Sequence, residues 1–235
     1  KFDTVNIDFL FNFPSQSVQQ LETDLEILDR LHIDQATFYP LMPSPHKVNA
    51  LERNFNRVDM SQEKSFYDII LKHISTNSYM PSTAWCFSQG NRMIDEYIVD
   101  FDNYIGMGSG SVSLLRNNFY VNTFSLQKYS ESLQRDQFPI IRWRKLSNHD
   151  MLYYYLLSRL FGLSIDSRRF HEKFHANIHS KLRMEILSLK LSGLIKEKDD
   201  TIWVTPKGMY PVSVMMRNFF SSLNGLREYC IENQI

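Results

Sequence analysis

Cysteine and long apolar runs are both scarce in this sequence. Only Cys86 and Cys230 occur among its 235 residues. Disulfide frameworks and cysteine-ligated metal sites need more thiols than two distant ones, so the sequence predicts neither within this chain. No stretch of about 18 apolar residues occurs, and the N-terminus lacks the charged-then-apolar pattern of a secretion signal. We therefore expect a cytoplasmic protein with no membrane partner.

The formal net charge of the chain is zero, because Lys plus Arg and Asp plus Glu each number 26. The whole chain thus offers no electrostatic argument for nucleic acid as a partner. The charges are unevenly distributed, with a net charge of −6 over residues 1–141 and +6 over residues 142–235. This asymmetry predicts two domains, 1–141 and 142–235, that meet near the basic stretch Arg142–Lys145.

The first forty residues predict a strand, a helix and a second strand. Thr4–Phe11 is rich in β-branched and aromatic residues, as a buried parallel strand is. From Ser17 onward, apolar residues recur at helical spacing (Val18, Leu21, Leu25, Leu28 and Leu31). Ala36–Tyr39 follows as a strand and ends at Pro40. Such a βαβ unit predicts an α/β fold in which ligands bind after the strands, near residues 12–16 and 41–46.

The middle of the chain contains its most unusual loop. We predict a polar linker to Met60 and a helix capped by Ser61. Further elements are predicted at Ser82–Ser88, Ile94–Phe101 and Val112–Leu115 as strands and at Leu126–Leu133 as a helix. Between the last two strands, three of the eight glycines fall within five positions, at Gly106, Gly108 and Gly110. A backbone of this kind turns sharply and can approach a ligand closely.

The basic half predicts helices followed by a hairpin. The helices are Asn148–Phe161, Asp166–His175 and His179–Leu191, the last ended by Gly193. Leu194–Glu197 and Ile202–Thr205 then form a hairpin around Asp199 and Asp200, and a final helix runs from about Val212 to Glu232. This order is typical of a winged-helix domain.

Four motifs occur in an order that resembles one family. Asn6–Ser17, read N-I-D-F-L-F-N-F-P-S-Q-S, is similar to a fifth-strand motif N-x-D-L-I-x-G-L-P-x-Q-T, and Thr37–Pro45 is similar to the sixth-strand motif. Tyr104–Ser113 resembles the glycine-rich loop and Gly193–Gly208 the wing of the same proteins. The chain thereby resembles the C-terminal part of oxygen-independent coproporphyrinogen III oxidase-like radical S-adenosylmethionine (SAM) proteins.

The resemblance implies a fold and an activity. The fold is the C-terminal half of a partial (β/α)6 barrel followed by a winged-helix-like domain. In the family, a C-x3-C-x2-C loop holds a [4Fe–4S] cluster that chelates SAM, and its reductive cleavage gives a 5′-deoxyadenosyl radical. That radical starts the oxidative decarboxylation of coproporphyrinogen III to protoporphyrinogen IX in haem biosynthesis, so the implied partner is a tetrapyrrole.

The resemblance also implies site residues. Asp8 falls where the family uses a carboxylate to bind SAM, Met42 and Val112 fall where backbone or apolar surface contacts it, and the three glycines fall in the ligand-facing loop. Each also has a structural interpretation: Asp8 as a helix-cap or strand-end acid, Met42 and Val112 as core residues, and the glycines as a tight turn. The catalytic residues are expected outside this chain.

The sequence departs from the family pattern at several positions. Asn12, Phe13 and Ser15 replace a usual glycine, leucine and glycine, although asparagine tolerates a positive φ. Ala84–Ser88 differs as well, which leaves the tetrapyrrole open. The chain begins at Lys1, and we expect it to be a piece of a longer protein. Because two cysteines do not supply three cluster thiolates, we expect this piece alone to perform no radical chemistry.

Two further residue patterns have simpler interpretations. His171, His175 and His179 have the i, i+4 spacing of a metal site, but Ala176-Asn177 reads as a turn, so surface histidines are favoured. Cys86 is read as a small buried apolar residue. Two alternatives to an oxidase stay open: a haem-binding or haem-transfer protein of the same architecture and, ranked last, a winged-helix protein that binds DNA through Lys181, Arg183 and Lys190.

Overall fold

The chain opens with the predicted βαβ unit. A computed structural model describes residues 2–43, 47–57, 59–90 and 101–233. Strands β1 (Asn6–Phe11) and β2 (Gln35–Pro40) are parallel neighbours, with Asn6 opposite Gln35 and Phe11 opposite Pro40. Helix α1 (Val18–Leu31) connects them. The predicted order and pairing of these elements are confirmed.

Local signals explain where α1 begins and which face it buries. The Ser17 side chain accepts a hydrogen bond from the Gln20 amide, and the Gln20 side chain accepts one from the Ser17 amide, which completes a capping box. Leu21, Leu25 and Leu28 are buried at spacings of four and three. The helix therefore packs through one leucine stripe.

The region predicted to be a polar linker followed by one helix contains two helices. Helix α2 (Val48–Phe55) lies within the predicted polar linker, and α3 is Met60–Thr76. The prediction that Ser61 caps α3 is wrong, because the Asp59 carboxylate accepts from the Ser61 amide at 2.8 Å. The stronger acceptor therefore starts the helix two residues earlier.

Strands β3 (Met80–Pro81) and β4 (Cys86–Ser88) complete the first sheet within the described residues, in the order β1-β2-β4-β3. β4 runs antiparallel to β2. The strand predicted at Ser82–Ser88 is thus confined to its last three residues. Residues 94–100 of the predicted strand Ile94–Phe101 lie outside the described residues.

A second sheet follows the glycine loop. It consists of β5 (Val112–Leu115), β6 (Asn118–Asn122) and β7 (Ile140–Lys145), all antiparallel, with α4 (Leu126–Gln134) inserted before β7. β7 crosses the predicted boundary after residue 141, and the division into 1–141 and 142–235 stays a prediction.

The C-terminal part combines helices with a third sheet, which is antiparallel. Its elements are α5 (Asn148–Phe161), β8 (Ser164–Asp166), α6 (Ser167–Phe174), α7 (Ile178–Lys181), α8 (Arg183–Leu191), β9 (Ile195–Lys198), β10 (Thr201–Val204) and α9 (Pro206–Glu232). The strand order of this sheet in the part of the chain described is β8-β10-β9.

Two of the predicted helix bounds are wrong. The helix expected at His179–Leu191 is divided at Leu182, whose φ of −126° and ψ of 38° are not helical. The final helix begins at Pro206 rather than Val212, because the Thr205 side chain accepts from the Gly208 amide and proline suits the first helical position. The predicted hairpin turn is confirmed, with Asp199 and Asp200 both at positive φ.

Two apolar cores link early and late parts of the chain. One lies between α1, α3 and the first sheet and includes Met209 of α9. The other is built from α5, α6, α8 and α9 and includes Ala84 and Trp85 from the segment before β4. Helix α9 contributes residues to both cores.

Candidate functional site

The loops after β1 and β2 lie side by side. The Leu41 amide donates to the Phe11 carbonyl at 3.1 Å, which joins the two strand ends. Asn12 has a φ of 60° and Ser15 a φ of 64°. The prediction that asparagine permits this turn is confirmed. The loops therefore form one edge of the sheet, the edge at which parallel strands bind ligands.

One face of the first sheet is polar although much of it is buried. Strand alternation places Asn6 and Asp8 on the same face, and their partners in register are Gln35 and Thr37. Ser88 of β4 lies opposite Gln35. We call these five residues the polar face. Gln35, Thr37 and Ser88 are buried, whereas Asp8 is exposed, so Asp8 is the member of the polar face that a ligand can reach.

Asp8 is the charged member of the polar face. Its side chain is exposed, and its Oδ1 accepts a hydrogen bond from Asn6 Nδ2 at 2.8 Å. Thr37 Oγ1 donates to Asn6 Oδ1 at 3.2 Å, so Asn6 bridges the threonine and the aspartate. This chain of hydrogen bonds orients the carboxylate. A carboxylate held in this way can accept from hydroxyl or ammonium groups.

Sequence reasoning found Asp8 but missed its partners. Asn6, Gln35 and Thr37 have a sequence signal, because polar residues alternate with apolar ones in both parallel strands, whereas Ser88 lies in the short antiparallel strand β4. The run Thr4–Phe11 was instead read as a strand buried on both faces.

Met42 lies just after the end of β2 and is hydrogen-bonded to α9. Its backbone carbonyl accepts from Asn224 Nδ2 at 3.1 Å, and its side chain packs against the C-terminal core. Lys47 Nζ lies 3.5 Å from Glu228 Oε2, which adds a second link between this loop and the helix. The C-terminal half of α9 therefore lies next to the loop edge of the first sheet.

The glycine loop is held by neighbouring side chains. The amides of Gly106 and Gly108 donate to Ser113 Oγ and to the Tyr129 hydroxyl, each at 3.0 Å. The Gly110 amide donates to the Thr123 carbonyl at 2.8 Å. These bonds give the loop a fixed shape in which Gly108 and Gly110 have φ of 104° and 73°. The structure places Asp8 on β1 and Met42 just after the end of the adjacent β2, whereas the glycines lie in the loop before the second sheet and Val112 lies in its first strand.

Gly106 is required by close packing rather than by its φ. A Cβ at this position would lie 2.2 Å from the Val112 carbonyl oxygen. We therefore expect Gly106→Ala to destabilise the chain by about 2 kcal/mol, because backbone atoms must move apart. Thermal unfolding followed by circular dichroism measures the change. Met107→Ala is the control from the same loop, since Met107 is 88% exposed, and an equal loss in both variants would contradict this account.

The histidines proposed as an alternative metal site are used elsewhere. His179 Nε2 lies 2.8 Å from Glu197 Oε1, and His175 ends α6 in a left-handed conformation with a φ of 50°. Within the described ranges, no group of three or more His, Cys, Asp or Glu side chains converges as metal ligands do. Lys190, proposed for DNA binding, lies 3.4 Å from Glu197.

Both cysteines are buried and free. Cys86 lies in β4 and Cys230 in α9, so they provide neither the number nor the spacing of thiolates that an iron–sulfur cluster needs. The donor set of this chain therefore does not fit such a cluster. None of the helices in the described residues is long and apolar enough to span a membrane.

Comparison with known proteins gives the class of the chain. No protein-family model matches it. The fold matches the solved structure of coproporphyrinogen III oxidase (HemN) from Escherichia coli, a radical SAM enzyme, with a TM-score of 0.71 and 15% identity. The match covers 92% of this chain and 55% of HemN. The chain thus has an α/β fold of the HemN type.

Two curated relatives are similar to the chain in sequence. The chain is 19% identical over 215 residues to the heme chaperone HemW of Bacillus subtilis, a match that covers 88% of this chain and 56% of HemW. It is 21% identical over 244 residues to oxygen-independent coproporphyrinogen III oxidase of Synechocystis, covering 92% and 51%. The resemblance to the HemN-like radical SAM proteins is therefore confirmed. The chain spans about half the length of the relatives it matches.

Proposed function

We propose that the chain is the SAM- and tetrapyrrole-binding part of a HemN- or HemW-like radical SAM oxidoreductase. The observation that carries the proposal is the oriented Asp8 carboxylate on the polar face of a sheet whose fold matches HemN. The four family motifs also occur in the same order along this chain. The residues thus support a ligand-binding role, and the relatives' names supply the ligand classes.

The proposal includes a division of the fold. Residues 1–141 would form the C-terminal half of the radical SAM barrel with a glycine-rich extension, and residues 142–235 a winged-helix-like domain. The βαβ unit supports the first assignment, and the helices with the hairpin β9–β10 support the second. The free, buried cysteines suit a reducing compartment such as the cytoplasm.

In this proposal the residues of the chain bind and orient ligands. Asp8 accepts hydrogen bonds from SAM, Met42 and Val112 offer it apolar and backbone contacts, and the loop of Gly106, Gly108 and Gly110 allows close approach. Bound SAM would supply radical chemistry only together with a cluster held outside this chain. Since the cysteines here do not fit that cluster, the chain alone would carry out no radical step.

A haem-binding or haem-transfer role is the second candidate. Two of the matched relatives are named heme chaperones. Turnover of coproporphyrinogen III under anaerobic conditions, measured with the chain joined to the segment that holds the cluster, would support the oxidase. Haem binding without turnover would support the chaperone. A winged-helix DNA-binding role ranks behind both, and it requires salt-dependent retention of DNA in a gel shift.

Asp8→Ala is expected to weaken SAM binding about tenfold, because a charged hydrogen-bond acceptor is removed. Equilibrium dialysis with labelled SAM measures the affinity. Asp3→Ala is the matched control, since Asp3 is an exposed carboxylate that precedes the same strand. Equal affinity in the Asp8→Ala variant and the original chain would remove Asp8 from the SAM site and take away the main support for the proposal.

A further inference from the structure

Strand β7 lies at one edge of the second sheet. The opposite edge, on β5, is engaged by Tyr104, whose amide donates to the Leu114 carbonyl at 2.9 Å and whose carbonyl accepts from the Leu114 amide at 3.0 Å. On β7 one side pairs with β6, and within the described ranges no strand pairs with its outer side. Strand β7 therefore presents main-chain groups with which another strand can pair.

The register of β7 determines which of its main-chain groups point outward. The Leu146 amide donates to the Asn117 carbonyl at 2.7 Å, which makes these two residues a hydrogen-bonded pair. Such pairs recur at every second residue of an antiparallel ladder, so Arg144 directs its main-chain groups toward β6. The amides and carbonyls of Trp143 and Lys145 therefore point away from the sheet. Each of these two residues offers a donor and an acceptor to a partner strand.

The side chains at the end of β7 are basic and exposed. Arg142, Trp143, Arg144 and Lys145 follow one another along the strand, and each of them is exposed. Arg144 NH2 lies 3.5 Å from Asp150 Oδ2, yet the Arg144 side chain remains 74% exposed. Strand alternation places the two arginines on one face and Trp143 and Lys145 on the other. A strand bound to this edge would meet cations on both faces.

The charge of β7 selects the kind of strand that can bind to it. Pairing of two β7 strands would set the cations of one copy against those of the other, and like charges opposite one another destabilise a sheet. The same cations attract a strand with carboxylates at alternate positions. Protection from a second copy does not explain Trp143, which is 65% exposed between two arginines. Its indole offers an apolar contact to a partner side chain.

We propose that β7 binds an acidic, extended peptide segment of another protein, which joins the second sheet as an antiparallel fourth strand. The main chain of the segment pairs with Trp143 and Lys145. Its carboxylates face Arg142 and Arg144, and an apolar side chain covers the indole. Strand addition obtains affinity from main-chain hydrogen bonds and specificity from alternate side chains. The inference goes beyond the proposed function, because it concerns a protein partner rather than SAM or a tetrapyrrole.

Isothermal titration calorimetry of the 235-residue chain with a synthetic peptide tests the proposal. The peptide has about six residues, alternates valine with glutamate and has blocked termini. We expect one equivalent to bind, and Arg142→Glu to bind it about tenfold more weakly, because an attraction becomes a repulsion. Arg135→Glu is the matched control, since Arg135 is an exposed arginine that precedes the strand. Circular dichroism shows whether both variants keep the fold of the original chain.

Two modified peptides separate strand pairing from the attraction of charges. In an antiparallel ladder the valine opposite Trp143 directs its amide toward β7, whereas the neighbouring glutamate directs its amide away. N-methylation of that valine should therefore weaken binding at least about tenfold, and N-methylation of that glutamate should leave it unchanged. Equal effects of the two methyl groups, equal losses in Arg142→Glu and Arg135→Glu, or no binding would overturn the proposal. Tighter binding of single-stranded oligothymidylate would also overturn it, in favour of a nucleic-acid partner.

Discussion

Arg217→Met is expected to destabilise the chain by about 3–5 kcal/mol, because it leaves a buried carboxylate without its cation. Glu63 of α3 has 1% of its side chain exposed, and it is paired with Arg217 of α9, 14% exposed. The Tyr210 hydroxyl donates to Glu63 Oε1 at 3.1 Å. Burial and the neighbouring Glu63 raise the pKa of Tyr210 to about 12, so this hydroxyl keeps its proton. One neutral hydrogen bond does not replace the lost ion pair.

Urea unfolding of Arg217→Met measures the loss, and Lys64→Met is the matched control. Lys64 follows Glu63 in α3, and its pair with Asp68 at 2.5 Å is more than half exposed on both sides. That variant should lose no more than about 0.5 kcal/mol. The double variant Glu63→Leu with Arg217→Met should recover most of the lost stability, since it removes both buried charges. A small effect of Arg217→Met would show that Glu63 reaches water or another partner.

Trp85→Ala is expected to cost about 3–5 kcal/mol, because it opens a large cavity between the first sheet and the C-terminal helices. The side chain is fully buried. Its ring centroid is 5.0 Å from that of Phe161 and 5.8 Å from that of Phe220. The indole Nε1 donates to Ser213 Oγ of α9 at 2.7 Å. One side chain thus makes contacts with α5 and α9 together.

Denaturant unfolding of Trp85→Ala and Trp143→Ala provides the comparison. Trp143 is the same residue type on β7 but is 65% exposed, so its loss should change the stability by less than about 0.5 kcal/mol. Trp85→Phe should fall between the two, because it keeps a ring and loses the bond to Ser213. Similar losses at residues 85 and 143 would contradict the packing described for Trp85.

The elements predicted well are those with strong local signals. Ser17 and the leucine spacing determine α1, and Asp199-Asp200 determines the turn of the hairpin. At Thr205 two local signals compete, because Thr205-Pro206 is typical of a helix start whereas Ile202–Thr205 is typical of a hairpin strand, and the predicted start of α9 is therefore too late. Where several neighbouring residues favour one structure, the sequence alone is sufficient.

Distant pairings were not predictable in the same way. Glu63 and Arg217 are 154 residues apart, and nothing near either residue indicates that the other will neutralise it. The polar face depends on the register between β1 and β2, which places Thr37 beside Asp8. Asp8 itself was found through a family motif rather than through its neighbours.

Helix α9 also affects the time at which the chain can fold. It is the last element described, yet it supplies partners for Trp85, 128 residues earlier, and for Glu63. During synthesis both cores must wait for residues 206–232, so their apolar surfaces stay open until those residues have been made. Contacts of such long sequence separation form slowly. We therefore expect these cores to fold late and to be sensitive to chaperones, and loss of α9 to disrupt both cores at once.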